Sequence, residues 1–444
     1  MSMSSPSLLR TGSLLALPAL SCLLLAAHFL RSGSLDLVMV WLFLPGLMLW
    51  RGAWIKPVLQ FALTIGMVIW IQTMMDLVQF RQVFGQPWLR MALILSGVAL
   101  AAGGSVLLFE TRTLRAWFSR NPEEKLIQAV VFLLTILTLG VVQAKVSFPI
   151  LLTDRFFPGY GSVQIVLMAL YAVWISGKLQ DPKHAPLIRV RMWLFFSVVF
   201  FVQLGLGLAG WEQFLMTGAL HLPVPAQILA GPIYRGEGFF MLVLFLSTVI
   251  LVGPAWCSHL CYIGAWDRLA SGVRKSPGKL PPWTPVARVT IFLLVMAAAL
   301  GMHLLNVHWT WALTLAAVFG LLGVAIMALV SRRMGVMAHC TVFCPIGLAA
   351  VVLGKLSPWR LRIDSDCDAC GRCARFCRHQ ALQPDDLRLR RPGLSCTLCG
   401  DCISRCRNNR LAYHFPWLSG TASWSLFITL ITVLHTLFLA TARI

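Results

Sequence analysis

Charge is the scarcest feature of this sequence. Charged residues make up 12% of the 444 residues, and Asp and Glu together number only 16. A soluble globular protein carries about 25% charged and about 45–50% apolar residues, whereas 58% of this chain is hydrophobic. Because so much apolar surface has to be solvated by lipid, the composition excludes a soluble protein and predicts a polytopic membrane protein.

The shortage of acidic residues leaves a net charge of +21, which alone would suit a nucleic-acid-binding protein. However, the Lys and Arg residues stand at the ends of apolar stretches and in a cysteine-rich segment, without a basic tail interleaved with aromatic residues. Membrane proteins collect such residues in their cytoplasmic loops. We therefore expect no nucleic-acid partner.

Long apolar stretches recur along the whole chain. About 18 apolar residues suffice for a hydrocarbon core of about 30 Å, and backbone groups in lipid must pair within the segment, which favours helices. Eleven candidate spans lie near residues 12–30, 35–50, 57–76, 89–109, 126–144, 160–177, 192–210, 238–254, 288–306, 309–330 and 421–440.

Basic residues predict the orientation of these spans. If the N-terminus is inside, 30 of the 37 Lys and Arg residues fall on the inner side and 7 on the outer side. Such a bias indicates that the richer side is cytoplasmic. We therefore expect a bacterial cytoplasmic (inner) membrane protein with the N-terminus and cysteine-rich segment in the cytoplasm and the C-terminus in the periplasm. Thiols in a reducing cytoplasm are typically metal ligands.

Twelve of the thirteen cysteines fall into regular groups. CDACGRCARFC at Cys367–Cys377 and CTLCGDCISRC at Cys396–Cys406 each read C-x2-C-x2-C-x3-C, the spacing of bacterial two-cluster ferredoxins. In that arrangement three thiolates bind one cluster and the fourth reaches the other. We expect one [4Fe–4S] cluster on Cys367, Cys370, Cys373 and Cys406, and a second on Cys396, Cys399, Cys402 and Cys377. A structural zinc site needs only four ligands, so eight at this spacing disfavour zinc.

Arginine follows the fourth cysteine of each run, as Arg378 and Arg407, where many such ferredoxins have proline. Three roles are open for these residues. They raise a cluster potential, dock an acidic partner, or are solvated surface charges.

A second motif occurs twice, as WCSHLCYIGAW at Trp256–Trp266 and as HCTVFCPIGLA at His339–Ala349. Both copies read C-x3-C-x-I-G and end an apolar hairpin, which predicts a duplication whose motifs face each other. Residues four apart share a helix face, so Cys257, Cys261, Cys340 and Cys344 are candidate ligands of a further cluster or a soft metal. Alternatively, these cysteines only pack helices.

Membrane hairpins ending in C-x3-C, followed by a two-cluster ferredoxin module, resemble the NosR/NapH family of membrane polyferredoxins. The resemblance covers roughly residues 192–412. It implies a quinol dehydrogenase or an electron donor to a periplasmic reductase subunit. A related copper-handling assembly factor for cytochrome oxidase shares the core and implies a rival role, copper reduction, for which Met334 and Met337 are candidate ligands. Tyr262 departs from the family, which usually has proline after this cysteine.

Quinol oxidation needs proton acceptors beside an apolar cavity. The predicted outer side offers ionisable residues that are costly near lipid, namely Glu212, His221, Arg235, Glu237, His303 and His308. A site there would lie across the hydrocarbon core from the cysteines. A quinone site near the inner face, beside Trp256 and Trp266, is the alternative.

Taken together, these patterns predict an all-α polytopic membrane bundle of about 11 transmembrane helices with a small cytoplasmic α+β ferredoxin domain of the two-cluster bacterial type. The expected division is an N-terminal membrane module (1–120), a membrane core (121–356), the ferredoxin domain (357–413) and a last helix (414–444). The expected function is electron transfer between the quinone pool or a membrane partner and a redox partner, through two [4Fe–4S] clusters. Basic residues near the clusters favour an acidic cytosolic ferredoxin or flavodoxin as partner.

Overall fold

The computed structural model describes residues 8–118, 125–215 and 222–441. The chain forms two compact units, Met1–Gly177 and Lys178–Ile444. The sequence instead predicts a boundary at residue 120, which lies outside the described residues. Helices beyond residue 120 contribute to the apolar core of the first unit, where Phe132 and Val173 pack with Trp54.

Helices account for all regular structure described in the first unit. Its helices are α1 (Leu8–Arg31), α2 (Leu35–Met48), α3 (Ile55–Val83), α4 (Leu89–Leu108), α5 (Arg112–Trp117), α6 (Lys125–Lys145), α7 (Leu152–Phe156) and α8 (Gly161–Gln180), the last of which extends to the second unit. An ion pair joins two helix regions of this unit, between the ammonium of the buried Lys56 and the carboxylate of the exposed Glu110 at 2.6 Å.

The second unit contains both kinds of cysteine motif. Its helices are α9 (Ala185–Leu208), α10 (Gln227–Arg235), α11 (Phe240–Val252), α12 (Trp256–His259), α13 (Gly264–Gly272), α14 (Thr284–Leu304), α15 (Trp309–Ile326), α16 (Arg332–Met334), α17 (Pro345–Leu353), α18 (Pro384–Arg388) and α19 (Gly420–Ala440). Short 3-10 turns lie at Glu212–Phe214, Gly253–Ala255 and Ala374–Phe376, and π-helical turns at Met327–Ser331 and His339–Phe343.

Ten helices in the described ranges are long and apolar enough to cross a membrane. This finding confirms a mostly helical, multi-pass protein with about as many candidate spans as the sequence predicts. The predicted second span is instead the 14-residue helix α2, about 21 Å long, which is shorter than a hydrocarbon core of about 30 Å.

The length of α2 bears on the predicted orientation of the N-terminus. If α2 does not cross, the N-terminus changes sides relative to the cysteine-rich segment. The charge bias is the same in both cases, because Arg10 and Arg31 merely exchange sides. The orientation of the cysteine-rich segment does not depend on α2, whereas the orientation of the N-terminus does.

A two-stranded antiparallel sheet closes the cysteine-rich segment between α17 and α19. Strand β1 (Arg360–Ile363) pairs with β2 (Leu411–His414), and Leu361 lies opposite Tyr413. Alternate residues of both strands are buried, as expected for a sheet with one covered face. The pairing brings the two ends of the segment together, so that both cysteine runs fold as one small domain against the membrane helices.

Candidate functional site

The two cysteine runs have the same backbone conformation. We call Cys367–Cys377 the first run and Cys396–Cys406 the second run. Left-handed φ angles occur at equivalent positions of each run and of the residues after it, namely Ala369 and Leu398, Gly371 and Gly400, and Gln380 and Asn409. In addition, the N–H of Ala381 donates to the Cys377 sulfur at 3.2 Å, and the N–H of Arg410 donates to Cys406 at the same distance. The runs are therefore structural duplicates.

One set of thiols, the outer group, surrounds an open cavity of about 390 Å³. Its members line that cavity, and they are Cys367, Cys370, Cys373 and Cys406. Burial raises the pKa of the Cys373 thiol to about 11, and the neighbouring thiols of Cys406 and Cys367 contribute to the shift. Three cysteines of the first run and the last cysteine of the second run thus lie together.

The other set, the inner group, is more deeply buried. It lines a smaller cavity and consists of Cys377, Cys396, Cys399 and Cys402. Burial raises the pKa of Cys402, and the other three thiols of the group, together with Cys373 of the outer group, add to the shift. The two groups therefore adjoin, with the crossed membership that the spacing predicts.

Both groups suit a cluster better than a single metal ion. Within the described ranges, no three His, Cys, Asp or Glu side chains lie in the geometry of a single-ion site. A tetrahedral ion holds its ligand sulfurs about 2.3 Å from itself, whereas a cubane of eight atoms holds them farther apart. All-thiol donor sets of four are typical of [4Fe–4S] clusters. The inner cavity must widen by side-chain rotation to take a group of this size.

The two C-x3-C-x-I-G motifs also share one geometry. The N–H of the second cysteine donates to the carbonyl five residues before it, from Cys261 to Trp256 at 3.1 Å and from Cys344 to His339 at 2.8 Å. The glycine of each motif stands against the carbonyl of its first cysteine, where a side chain would clash. This close approach explains why glycine ends both motifs.

The second cysteine of each motif lies at the start of a helix. N–H groups of Ile263 and Gly264, at the start of α13, donate to the sulfur of Cys261. N–H groups of Ile346 and Gly347, in the first turn of α17, do the same for Cys344. Helix N-termini carry partial positive charge and favour thiolates. Burial raises the pKa of both thiols above its ordinary value, and these N–H groups offset part of that rise.

The four thiols of these motifs, the four-thiol site, meet in the interior. Burial raises the pKa of Cys340, and the carboxylate of Asp267 and the thiols of Cys344, Cys261 and Cys257 raise it further. The guanidinium of Arg288 lies close enough to lower the pKa of Cys344, although burial keeps that pKa above its ordinary value. The predicted facing of the two motifs is what the structure shows.

Asp267 ties the two halves of the four-thiol site together. Its side chain is fully buried, and it accepts a hydrogen bond from the N–H of Cys340 at 2.9 Å. Arg288 also contacts the second motif, because its guanidinium donates to the carbonyl of Gly347 at 2.8 Å. Sequence reasoning missed both residues, because an acid in α13 and a base in α14 read as ordinary helix-end charges.

A buried charge pair joins the inner group to the four-thiol site. Arg189 of α9 donates to both carboxylate oxygens of Asp401 at 2.9 and 3.0 Å and to the carbonyl of Ser258 at 2.8 Å. Ser258 stands between Cys257 and Cys261, and its hydroxyl donates to the carbonyl of Thr397, next to Cys396. The inner group therefore rests directly on the first C-x3-C motif.

Arg378 does not fit two of the three roles open in the sequence, and it has a further, structural role. Its guanidinium donates to the backbone carbonyls of Ser271, Arg274 and Gly335 in the connections of the membrane hairpins. The side chain is occupied with these carbonyls, so it is neither a solvated charge nor free for an acidic partner. Arg378 fastens the ferredoxin domain to the membrane helices.

An apolar cavity of about 510 Å³ lies between α10, α14 and α15. Its polar lining residues are Gln227, Tyr234 and Arg235, and the hydroxyl of Tyr234 donates to the carbonyl of Val307 at the end remote from the ferredoxin domain. The cavity runs about 15 Å along α15, from Trp309 to Phe319. Its other end is Phe343, whose ring stacks on Phe319 at 4.4 Å and which directly precedes Cys344.

Of the predicted quinone residues that the structure describes, only Arg235 lines this cavity. His303 lies beside it, with its Nδ1 2.8 Å from the carbonyl oxygen of Tyr234. Glu212 and Glu237 are exposed, and His308 contacts the hydroxyl of Thr310 outside the cavity. His221 lies outside the described residues.

The residues of the alternative inner quinone site are used in packing. The indole N–H of Trp266 donates to the hydroxyl of Ser197 at 2.8 Å, and Trp256 packs against Phe245. Met337, a candidate copper ligand in the sequence, packs with Trp193 and Ala265 in a small apolar core. Trp256 and Met337 are buried, whereas Trp266 is partly exposed, and all three make ordinary packing contacts or hydrogen bonds within the chain.

Comparisons with known proteins agree with this chemistry. A protein family described as "4Fe-4S binding domain" matches residues 235–279 and 313–364, which contain the two C-x3-C motifs. The chain is 26% identical over 223 residues to an Escherichia coli (strain K12) protein named "Putative electron transport protein YccM". That match covers 45% of this chain and 61% of the relative, less than two thirds of its length. No solved structure matches.

The family match and the named relative point to the same chemistry as the cysteine geometry. They support an iron–sulfur electron-transfer family for this multi-pass, mostly helical chain, with a 4Fe–4S binding domain within it.

Proposed function

We propose that this protein exchanges electrons between a membrane quinone and a soluble redox partner, as a quinol-dehydrogenase-like component of the bacterial cytoplasmic membrane. The ferredoxin domain would face the cytoplasm and the C-terminus the periplasm, as the distribution of basic residues predicts. The observation that carries the proposal is the continuous series of sites from the surface inward. The outer group, the inner group, the four-thiol site and the apolar cavity adjoin one another in that order.

The outer and inner groups would each hold one [4Fe–4S] cluster, on the residues predicted from the spacing. Such clusters supply one-electron transfer when bound, with potentials that range from about −700 to +450 mV. The chain contributes the environment. Burial raises the pKa of the Cys399 thiol, the carboxylate of Asp401 raises it further, and Arg189, which is paired with that carboxylate, lowers it.

The four-thiol site would hold a further cluster. Four thiols, two helix N-termini and Arg288 provide sulfur donors and compensating positive charge in a buried place. Buried thiols without a bound group are neutral and would need no compensating positive charge. In the rival role, copper reduction, the four-thiol site would carry copper, and Met337 adds no support for that role because it packs in a small apolar core.

The apolar cavity would hold the quinone. Its volume of about 510 Å³ is within the usual range for ligand sites, about 300–1,000 Å³, and its lining is mostly apolar with a few polar groups. A quinone in this cavity would not be separated from the cysteines by the whole hydrocarbon core, because the cavity reaches Phe343 beside the four-thiol site. Tyr234 and Arg235 stand at the remote end as candidate polar contacts, and a periplasmic reductase subunit or an acidic cytosolic carrier remains the candidate partner.

Iron analysis and EPR spectroscopy of anaerobically purified protein test the cluster assignment. We expect at least about eight iron atoms per chain and dithionite-reduced signals of [4Fe–4S] clusters. Cys370→Ala should remove only the outer signal and Cys399→Ala the inner one, while Cys22→Ala, a buried cysteine of α1, serves as control. Zinc in place of iron, or identical spectra in the two run variants, would contradict the assignment.

A further inference from the structure

A second cavity, of about 710 Å³, opens beside the inner group and is strongly basic. We call it the cationic cleft, and it is lined by Lys355, Arg362, Arg390 and Arg391 together with Cys396. Among the described residues that line it there is no Asp or Glu. The path of electrons through the three thiol sites uses none of these four cations, and docking of an acidic carrier is the rival explanation of their charge.

The four cations have no close carboxylate partner among the described residues, although Arg362 lies near enough to Asp364 to act on its charge. None of them forms an ion pair with a carboxylate in the part of the chain that the structure describes, whereas the nearby Arg388 pairs with Asp385. Arg360, which also lines the cleft, is different because its guanidinium donates to the carbonyls of Ser357 and Lys355. Unpaired guanidinium groups around a concavity fit phosphate oxygens, which they bind in bidentate fashion.

The cleft lies where the membrane spans end. Pro254, which follows α11, lines it, and the indole N–H of Trp359 on its wall donates to the carbonyl of Leu251 at 3.0 Å. Tryptophan is typical of the membrane–water interface. A ligand phosphate in the cleft would therefore be at the depth of lipid headgroups.

Large apolar side chains are exposed close in sequence to two residues of the cleft wall, and we call them the apolar strip. Pro254 and Gly354, both in the cleft wall, stand against each other. Close to them in sequence, large apolar side chains are exposed, and these are Ile250, Leu251, Val352 and Leu356. Exposed apolar side chains next to a phosphate-binding cleft suit acyl chains attached to a headgroup.

We propose that the cationic cleft binds the headgroup of an anionic phospholipid, whose acyl chains lie along the strip of Ile250, Leu251, Val352 and Leu356. The concave shape and the position at the span ends favour a lipid over an acidic protein, which needs an open surface. This site is separate from the quinone cavity between α10, α14 and α15. It stands whether or not that cavity holds a quinone.

Lipid binding to the purified full-length protein in detergent tests this proposal. Cardiolipin, phosphatidylglycerol and zwitterionic phosphatidylcholine are titrated, and bound lipid is counted by native mass spectrometry. We expect cardiolipin and phosphatidylglycerol to bind and phosphatidylcholine not to bind. Arg390→Gln/Arg391→Gln should weaken binding about thirtyfold, from the usual contribution of two arginines near an anionic surface.

A matched control separates the cleft from general charge. Arg375→Gln/Arg388→Gln removes two exposed arginines of the same domain that do not line the cleft, and its lipid affinity should change less than twofold. Equal weakening in both double variants would overturn the proposal, because it would show only a diffuse charge effect.

Two further outcomes decide the source of the phosphate. Inorganic pyrophosphate should displace cardiolipin only weakly, and displacement as effective as by the lipid itself would assign the cleft to a soluble phosphate ligand. If the Arg390/Arg391 variant keeps its lipid affinity but loses binding of an acidic flavodoxin, the cleft is a protein-docking surface. Either result would contradict lipid binding.

Discussion

The outer and inner cysteine groups have equivalent backbones in different surroundings. Left-handed residues stand at matching positions of the two runs, and each last cysteine accepts the same N–H bond at 3.2 Å. The outer group opens to a cavity at the surface, while the inner group rests on the first C-x3-C motif through Asp401 and Ser258. Equal cysteine spacing therefore specifies the fold around each cluster and not its role, which depends on the residues between the cysteines.

The largest expected difference between the two groups is in the stability that one nearby aspartate provides to each. Asp401 pairs with the buried Arg189, whereas Asp366 pairs with Arg410 at 3.3 Å in an exposed place. Asp401→Asn leaves Arg189 buried with an uncompensated charge, and we expect it to lower the apparent free energy of unfolding by about 3 kcal/mol. Asp366→Asn should cost less than about 1 kcal/mol.

Thermal and denaturant unfolding in detergent measure both variants, with iron content as a second readout. The Asp401 variant should also lose iron from the inner group, because the second run is no longer held against α9. Equal costs for the two aspartates would show that the inner group is not fastened through Arg189.

The glycines of the two runs give the next difference. Both have left-handed φ angles, +72° at Gly371 and +77° at Gly400. A side chain at Gly371 would meet nothing within 4 Å, but at Gly400 it would come within 2.5 Å of the Tyr413 hydroxyl, which is itself bonded to the carbonyl of Leu398. Both alanine variants are strained by about 1–2 kcal/mol, and Gly400→Ala should cost about 2 kcal/mol more from overpacking.

Adding Tyr413→Phe to Gly400→Ala sharpens this test. Removing the hydroxyl relieves the clash, so the double variant should recover part of the stability that Gly400→Ala loses. If the second change brings no recovery in unfolding measurements, the hydroxyl is not the obstacle and the explanation fails.

The arginines after the runs should show the smallest difference. Arg378 donates to three backbone carbonyls of the membrane hairpins, while Arg407 lines the outer cavity. We expect Arg378→Gln to cost about 1.5 kcal/mol, the usual lower value for a hydrogen bond from a charged group, and to expose the connections after α13 to protease. Arg407→Gln should change stability by less than about 0.5 kcal/mol. Similar protease patterns in both variants would contradict the fastening role of Arg378.

Sequence reasoning predicted the features that depend on local spacing. The crossed grouping of Cys377 and Cys406, the facing of the C-x3-C motifs and most of the spans follow from periods along the chain, and the structure places these residues accordingly. The shortfall at α2 was a matter of length, since 14 apolar residues resemble a span until the helix ends are known.

Features that depend on distant residues were not predictable in this way. Arg189 and Asp401 are 212 positions apart, and neither belongs to a motif that indicates the other. The apolar cavity arises from small residues such as Ala298, Ala299 and Ala316 on facing helices. In a sequence so rich in apolar residues, such a gap leaves no visible pattern.

Anaerobic EPR spectroscopy with reduced quinol as the electron source tests the central claim most directly, namely that the quinone cavity reaches the ferredoxin groups through the four-thiol site. Wild-type protein and the Cys261→Ser/Cys344→Ser variant are each treated with quinol and, separately, with dithionite. We predict that quinol reduces the wild-type clusters but not those of the variant, while dithionite reduces both. Equal reduction of both proteins by quinol, or no reduction of either, would contradict the proposed path.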